Sequence, residues 1–502
     1  MDTTLKAGSN CIDTAWSHVQ LAQKLLDREQ YKAAAAAAEA ALALEPNYAL
    51  AWLVRAQAYK ALRRFAEAAE AFAAVVKFAP ALAGVHVNLA NTYAELDRFS
   101  DAETHLLRAI ALKPGLAVAH ASLGSIYMRM GRHDLAEAPC RQALALDPNL
   151  IAAHQNLADI LARTNPQEAK VHRDATFTRQ QIFVEASPDA VRTVLILATA
   201  ETGNIPYQHL LPLERYAHIR WHIEYAPPGQ DKDLPHYDFV FNAVADPDVF
   251  GPSQAAVERF VAKSTSPLIN RPERVARTYR SNMPALLGHI DNVFVPPVLR
   301  HRLAAGNLGD AVRAAGIAFP IIVRPAGTHG GVGMSRVDSE AELPAAMPAS
   351  DVVYASQFID YRSGDGLYRK YRVIFVDRRP YPYHLAIRPE WLVHYKSAAM
   401  ETEAERRAEE ERFLSNPQAA IGARNMAALA AIAAELDLDY AGIDFSILPD
   451  GRLLVFEANA TMLVHPESDP LLDYKNRAVR AICAAVDAMI EQRLQVGSTN
   501  AS

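Results

Sequence analysis

The sequence predicts a multidomain chain: an all-α solenoid of repeated helix pairs, then an α/β region containing a small parallel sheet and a larger mixed part. Three observations carry this. Pro46, Pro80, Pro114 and Pro148 recur every 34 residues, each closing a similar phrase (ALALEP, VVKFAP, AIALKP, ALALDP). After Ser187 the alanine-rich texture gives way to short β-branched runs bounded by Pro and Gly. Near the C-terminal end, LDYAGIDFSILPDGRLLVFEANATM (438–462) reads as two strands joined by a Pro-Asp-Gly turn and carrying acidic and amide side chains.

Length and composition set the frame. At 502 residues, and about 150 residues per domain, two to four domains are expected. Half the residues are hydrophobic and 22% are charged, which excludes wholesale disorder. The net charge of −6 argues against bulk electrostatic binding to nucleic acid. Three scattered cysteines, Cys11, Cys140 and Cys483, give neither a disulfide framework nor metal-ligand spacing. No signal-peptide core follows Met1 and no apolar run reaches about 18 residues. The expectation is a cytoplasmic protein without membrane partners.

The repeat explains itself by helix geometry. His18, Trp52, His86 and His120 lead each unit, followed four residues on by Ala22, Ala56, Ala90 and Gly124, and seven on by Leu25, Tyr59, Tyr93 and Tyr127. These offsets share one helical face. A second small residue (Ala34, Ala68, Ala102, Ala136) lets the next helix approach, and the prolines end it. A partial fifth unit begins near Leu150 with His154, and a closing helix is expected near 167–180. Histidines 34 residues apart sit on different units, roughly 10 Å apart, too far to share one ion whose ligands lie at about 2 Å. They read as packing residues. This pattern resembles the tetratricopeptide repeat. The resemblance implies a right-handed solenoid over 15–182, after an N-terminal tail at 1–14, with a concave face that takes a peptide or protein segment.

The next segments read as strands and helices in alternation. VRTVLILATA (191–200), RWHIEYA (220–226), YDFVFNAVAD (237–246) and PLIN (267–270) read as strands, with a helix at 253–263. They suggest a small parallel α/β domain over 190–280. FPIIVRPAGTHGGVGM (319–334) places Arg324 at a strand end before Gly327, Gly330, Gly331 and Gly333, a plausible phosphate cradle that is neither a Walker A loop nor GxGxxG. VVYASQFID (352–360) reads as a strand. YRKYRVIFVDRRPYPYHLAIRP (368–389) reads as a hairpin with Arg372 and Arg388 on its arms, followed by helices near 401–413 and 421–435. In the last hairpin Glu457 and Asn459, two apart, share a face, and Asp444 can fall beside them. Three oxygen donors on one face fit Mg²⁺.

This order resembles the ATP-grasp superfamily, typified by D-alanine–D-alanine ligase, glutathione synthetase and the RimK-type ligases, over roughly 190–480. The implied ATP-grasp part spans 281–485, with a Gly-rich-loop subdomain at about 290–360, a metal-binding subdomain at about 361–485, and a C-terminal tail at 486–502. The resemblance implies that Asp444, Glu457 and Asn459 hold Mg²⁺ (or Mn²⁺) on ATP. It places Arg324 and Arg280 on the phosphates, closes Gly327 to Gly333 over them, and lines the adenine pocket with Gln357, Phe358 and Ile359. Arg372 and Arg388 would face an acyl phosphate, with His394 and His465 as candidates for acceptor binding or proton transfer. The family usually has Lys where Arg324 stands; Arg keeps the charge but binds phosphate differently. TMLVHP (461–466) stands where the family has a Gly-containing acceptor loop.

The implied activity is ADP-forming ligation of a carboxylate to an amine, with small-molecule or peptide substrates and a peptide or protein recruited by the repeats; a homodimer is compatible with the family. A kinase-like phosphotransferase, or a repeat scaffold with a non-catalytic nucleotide domain, are the alternatives.

Overall fold

The computed structural model describes residues 14–499 except 163, 201–202, 247, 249–250, 329, 349, 396–397 and 399. All but Thr14 of the expected N-terminal tail therefore lies outside the described residues. The chain divides into two compact units, Met1–Gln180 and Gln181–Ser502.

Among the described residues the first unit has ten helices: α1 (Ala15–Asp27), α2 (Tyr31–Leu44), α3 (Ala49–Ala61), α4 (Phe65–Phe78), α5 (Ala83–Glu95), α6 (Phe99–Leu112), α7 (Ala117–Arg129), α8 (His133–Leu146), α9 (Ile151–Leu161) and α10 (Pro166–Arg179). The small repeat positions Ala22, Ala56, Ala90, Ala34, Ala68, Ala102 and Ala136 have no exposed surface, as close helix approach requires. First helices of successive pairs touch one another (α1 with α3, α5 with α7, α7 with α9), so they form the inner side of the solenoid. The turn inside each of the first four pairs takes a left-handed residue, supplied at one repeat position by Glu29, Arg63, Asp97 and Gly131.

The recurring ring at the head of each unit has a specific task. Trp52 Nε1 donates to the Pro46 carbonyl at 2.8 Å. His86, His120 and His154 place Nε2 at 3.1, 2.9 and 3.0 Å from the carbonyls of Pro80, Pro114 and Pro148. A carbonyl only accepts, so each imidazole carries its proton on Nε2. Gly124 is the exception among the small positions: a Cβ there would lie 2.2 Å from Cys140 Sγ.

Among the described residues the second unit holds three sheets. The first has the order β1-β3-β2-β4-β5, from β1 (Ile182–Glu185), β2 (Arg192–Ala198), β3 (Tyr216–His222), β4 (Phe239–Asn242) and β5 (Leu268–Ile269). β2 to β5 pair in parallel, but β1 is antiparallel to β3, so the sheet is mixed rather than purely parallel and starts before residue 190. β3 begins earlier than the expected 220–226, because His218, polar in the sequence, is buried with Nε2 on the Leu211 carbonyl. α11 (Gly251–Val261), α12 (Pro272–Val275) and α13 (Met283–Leu287) follow.

After β6 (Val293–Phe294), the second sheet is antiparallel, β7-β10-β8-β9: β7 (Val298–Arg302), β8 (Ile321–Pro325), β9 (Ser335–Val337) and β10 (Val352–Gln357), with α14 (Leu308–Ala314) and α15 (Leu343–Ala346). β10 stops at Gln357, short of the expected residue 360. The third sheet runs β12-β11-β13-β14-β6: β11 (Tyr368–Val376), β12 (Arg379–Arg388), β13 (Tyr440–Ile447) and β14 (Leu453–Asn459). α16 (Ala404–Ser415), α17 (Pro417–Ile421), α18 (Ala423–Leu436) and α19 (Asn476–Thr499) accompany it, and α16, α18 and α19 contact β12. The tail expected from residue 486 is instead the second half of α19, whose Val486, Met489 and Ile490 are buried. Gly442 on β13 makes room for Met462, whose Cγ would lie 2.6 Å from a Cβ at that position. No helix among the described residues is long and apolar enough to cross a membrane.

Candidate functional site

A cavity of about 430 Å³ opens where the second and third sheets meet the segment around Arg280. That is within the range of small-ligand pockets, about 300–1,000 Å³. One part of its wall is apolar, with Val295, Val298, Ile322, Leu454 and Phe358. The rest is densely charged.

Two carboxylates organise the charged part. Asp444 on β13 and Glu457 on β14 are directly paired residues of the antiparallel ladder, and a bulge follows at Asp444/Phe445. Arg280 Nη2 donates to Glu457 Oε2 at 2.6 Å, and Arg324 Nη1 lies 3.9 Å from the same oxygen. Burial alone would raise the pKa of Glu457, but the two guanidinium groups outweigh it and hold the carboxyl down at about 2. Arg372 clamps Asp444 with Nε at 2.5 Å and Nη2 at 2.8 Å, and Lys370 adds Nζ at 3.1 Å. Burial opposes ionisation here too, and Arg372 and Lys370 again outweigh it. Both carboxylates are therefore ionised at neutral pH.

The arginines are left wanting. Arg280 and Arg324 converge on one carboxylate, and the Nε of each is buried without a hydrogen-bond partner. Burial and the charge of Arg280 together push the pKa of Arg324 below its ordinary value. Arg324 Nη2 donates to the Thr328 carbonyl of the Gly-rich loop, whose Gly327, Gly330, Gly331 and Gly333 all have positive φ. Two desolvated guanidinium groups with unspent donors suit a polyphosphate.

Asp444 and Glu457 also suit a hard divalent cation, which takes few carboxylates and only oxygen. No three His, Cys, Asp or Glu side chains form a metal cage among the described residues. Asn459 is placed differently. Its Oδ1 accepts from the N–H and Oγ1 of Thr461 at 3.0 and 2.9 Å, and it lines a small neighbouring cleft with Asp246, Asp248 and Arg280.

The remaining sequence candidates divide. Gln357, Phe358, Ile359, Gly330, Gly331, Arg372, His394 and His465 line the cavity. Gln357 and Phe358 spend their N–H groups on the carbonyls of Pro297 and Pro320, so the base-facing donors expected of this trio do not come from those two. His394 lies against the loop: a Cβ on Gly330 would be 3.3 Å from its Nε2. Arg388 does not line the cavity. Its Nε binds Glu390 at 2.9 Å, and it pairs with Tyr368, four residues along β11 from Arg372.

Sequence reasoning missed Lys370, Tyr383, His384 and Lys475. Lys370 alternates with Arg372 on β11, a period-two signal that could have found it. His384 faces Arg372 only because a bulge at Arg372/Val373 shifts the register. Burial, then the charges of Arg372 and other cations, push the His384 pKa well below its ordinary value. Lys475 arrives from a distant segment.

Comparison with known proteins follows the same division. Residues 19–83, 83–115 and 117–150 match tetratricopeptide repeat families. Residues 291–360 match the carbamoyl-phosphate synthase L chain, ATP binding domain. No curated protein matches the chain. Among solved structures, PilW, a type IV pilus biogenesis factor, is 26% identical over 33% of this chain and 77% of its own, with a TM-score of 0.31. MamA from Desulfovibrio magneticus RS-1 is 22% identical over 33% of this chain and 93% of its own, with a TM-score of 0.30. YrrB is 21% identical over 33% of this chain and 86% of its own, with a TM-score of 0.29. The chain is thus a fusion of tetratricopeptide repeats to an ATP-binding domain of the ATP-grasp type.

Proposed function

We propose that the chain is an ADP-forming ligase that joins a carboxylate to an amine through an acyl phosphate. The observation that carries this reading is the convergence of Arg280 and Arg324 on Glu457, with both Nε groups unspent, beside the Asp444–Arg372 pair. An apolar wall adjoins this charge, as a base and a triphosphate require.

The chemistry asks little covalent work of the protein. A carboxylate oxygen attacks the γ-phosphorus, the bond to the β-phosphate oxygen breaks, and ADP leaves with that electron pair. The amine nitrogen then attacks the acyl carbon, the carbon–oxygen bond to phosphate breaks, and phosphate leaves as the amine gives up its proton. Arg280 and Arg324 would hold the triphosphate and neutralise charge as it shifts. A divalent cation held by Asp444 and Glu457 would supply further neutralisation when bound. The Gly-rich loop and the segment bearing Trp391 and His394 would exclude water from the acyl phosphate.

The repeats would recruit the substrate's carrier or a partner. In support, Trp16, Leu50 and Val118 occupy one repeat position on first helices and are exposed. A peptide or protein segment on that side of the solenoid, a homodimer and a cytoplasmic location complete the reading.

Thermal unfolding with and without Mg²⁺-ATP tests it. Ligand at about 100 times its Kd adds roughly 2.7 kcal/mol, on the order of 4 °C for a unit of this size. The native chain should shift and Glu457→Gln much less. Equal shifts, or none, would remove the nucleotide site from this cavity.

A further inference from the structure

The first unit carries two pairs of imidazoles that neither the nucleotide cavity nor the recruitment of a partner uses. In each, a histidine on the first helix of a repeat meets one on the second, nitrogen to nitrogen. His86 Nδ1 on α5 lies 3.0 Å from His105 Nδ1 on α6, and His154 Nδ1 on α9 lies 2.8 Å from His172 Nδ1 on α10. The rings are inclined to each other by 35° and 44°. His86 and His154 are fixed from outside, each giving Nε2–H to a proline carbonyl. That is the support which orients a ligating imidazole and leaves its Nδ1 lone pair free to bind. His172 Nε2 lies 3.9 Å from Glu168 Oε1. While neutral His172 donates from Nδ1 to His154, its Nε2 has no proton to offer that carboxylate. Among the described residues no third His, Cys, Asp or Glu joins either pair to make a cage.

We propose that His86 with His105, and His154 with His172, are two bidentate sites for a transition-metal dication, Cu²⁺ above all, with water completing each coordination shell. The inference is independent of the ligase reading. Distance selects the ion. Two nitrogens about 2.0–2.1 Å from one ion are about 2.8–3.0 Å apart at a right angle and about 3.3–3.4 Å apart at the tetrahedral angle. The pairs measure 3.0 and 2.8 Å, so they fit neighbouring positions of a tetragonal ion and are too close for tetrahedral Zn²⁺. Cu²⁺ and Ni²⁺ both offer that geometry, and Cu²⁺ binds imidazole the more tightly. The ion lies about 1.4 Å to one side of the line between the nitrogens, so both rings tilt toward it. The proton that joins each pair leaves Nδ1 of His105 or His172 and Nε2 of the same ring takes one up, so a neutral pair binds the ion without net proton release. In His172 the new Nε2–H faces Glu168. His105 is half-buried, which gives solvent and the ion a way in. Each ion stays within one helix pair, where it ties α5 to α6 or α9 to α10 in place of one hydrogen bond.

The test uses the full chain, stripped with EDTA, desalted and held at pH 7.5. It is titrated with the chlorides of Cu²⁺, Ni²⁺, Zn²⁺ and Mg²⁺ and read by calorimetry, by thermal unfolding and, for Cu²⁺, by electron paramagnetic resonance. Two equivalents of Cu²⁺ should bind ahead of Ni²⁺ and Zn²⁺, each with the coupling of two nitrogens, and Mg²⁺ should not compete. Cu²⁺ at about 100 times its Kd should raise the unfolding midpoint of the first unit by about 5 °C or more. His105→Ala and His172→Ala should each lose one equivalent, and the double variant both. Should a variant not fold, the nitrogen coupling in the native chain decides. Undiminished binding in the double variant, a spectrum with one nitrogen or none, Zn²⁺ bound more tightly than Cu²⁺, or a midpoint that stays or falls overturns the proposal.

Discussion

Asp444 and Glu457 face each other across the β13–β14 ladder, yet each is neutralised from a different element: Asp444 by Arg372 on β11, Glu457 by Arg280 ahead of the second sheet. Two adjacent carboxylates stay ionised because each has cations of its own.

The two arginines of the β11–β12 hairpin should therefore part company on mutation. Arg372→Ala leaves Asp444 buried with Lys370 alone, and breaking a buried pair costs about 3–5 kcal/mol. Arg388 binds Glu390, whose side chain is 57% exposed, and Arg388→Ala should cost less than about 1 kcal/mol. Urea unfolding of both variants reads the difference; similar losses would put Arg388 in the same network as Arg372.

Gly442→Ala should destabilise the second unit by about 1–3 kcal/mol, since the new Cβ meets Met462 Cγ at 2.6 Å. Shortening the obstruction with Met462→Ala should make the double variant more stable than the two single losses predict by addition. Strict additivity would show that the contact is not the cause.

A parallel experiment applies to the solenoid. Gly124→Ala places a methyl group 2.2 Å from Cys140 Sγ, whereas the first repeat accommodates Ala22 opposite Ala38. Gly124→Ala should lower the unfolding midpoint, and Cys140→Ala in the same chain should restore most of it. Failure of the rescue would place the strain at the Ala136 carbonyl, 3.0 Å away.

Acid should loosen the repeats. His86 and His105 meet through their Nδ1 atoms at 3.0 Å, and His154 and His172 at 2.8 Å. With Nε2 protons fixed by proline carbonyls, the Nδ1 of His86 and His154 must accept, and His105 and His172 must donate. Burial, then the neighbouring imidazole, lower the pKa of His105 and His172 from 6.5. The unfolded chain thus binds more protons just below pH 6.5, so stability is present above that pH and lost as pH falls through it. Thermal unfolding from pH 7.5 to 5 should show the decline, with His105→Gln, which keeps a donor for His86, declining less. A flat profile would contradict the tautomer assignment.

The solenoid was legible because its repeat is local: proline spacing and small residues at fixed offsets specify each helix pair. The Asp444 and Glu457 strands were legible for a similar reason, their Pro-Asp-Gly turn fixing the pairing. Arg388 was misplaced because residue type says nothing of how far along a strand a side chain lies. His384 and Tyr383 were hidden by the bulge opposite Arg372, since counting from the Asp377–Arg378 turn gives the wrong partner. Glu410 sits in a helix that reads as solvated, yet it is fully buried, accepting from the Leu385 N–H and the Tyr395 and Tyr474 hydroxyls. Lys475 required tertiary structure, because nothing in its neighbourhood in sequence calls for a buried cation.

The ring N–H given to a proline carbonyl six residues earlier has a consequence for how this solenoid can change. Every junction from Trp52 to His154 is latched by the same pair of groups, separated by the same stretch of chain. Adding or removing 34 residues between two latches leaves each one closed. Any other length opens one, so the number of coils is a free variable while the length of a coil is not.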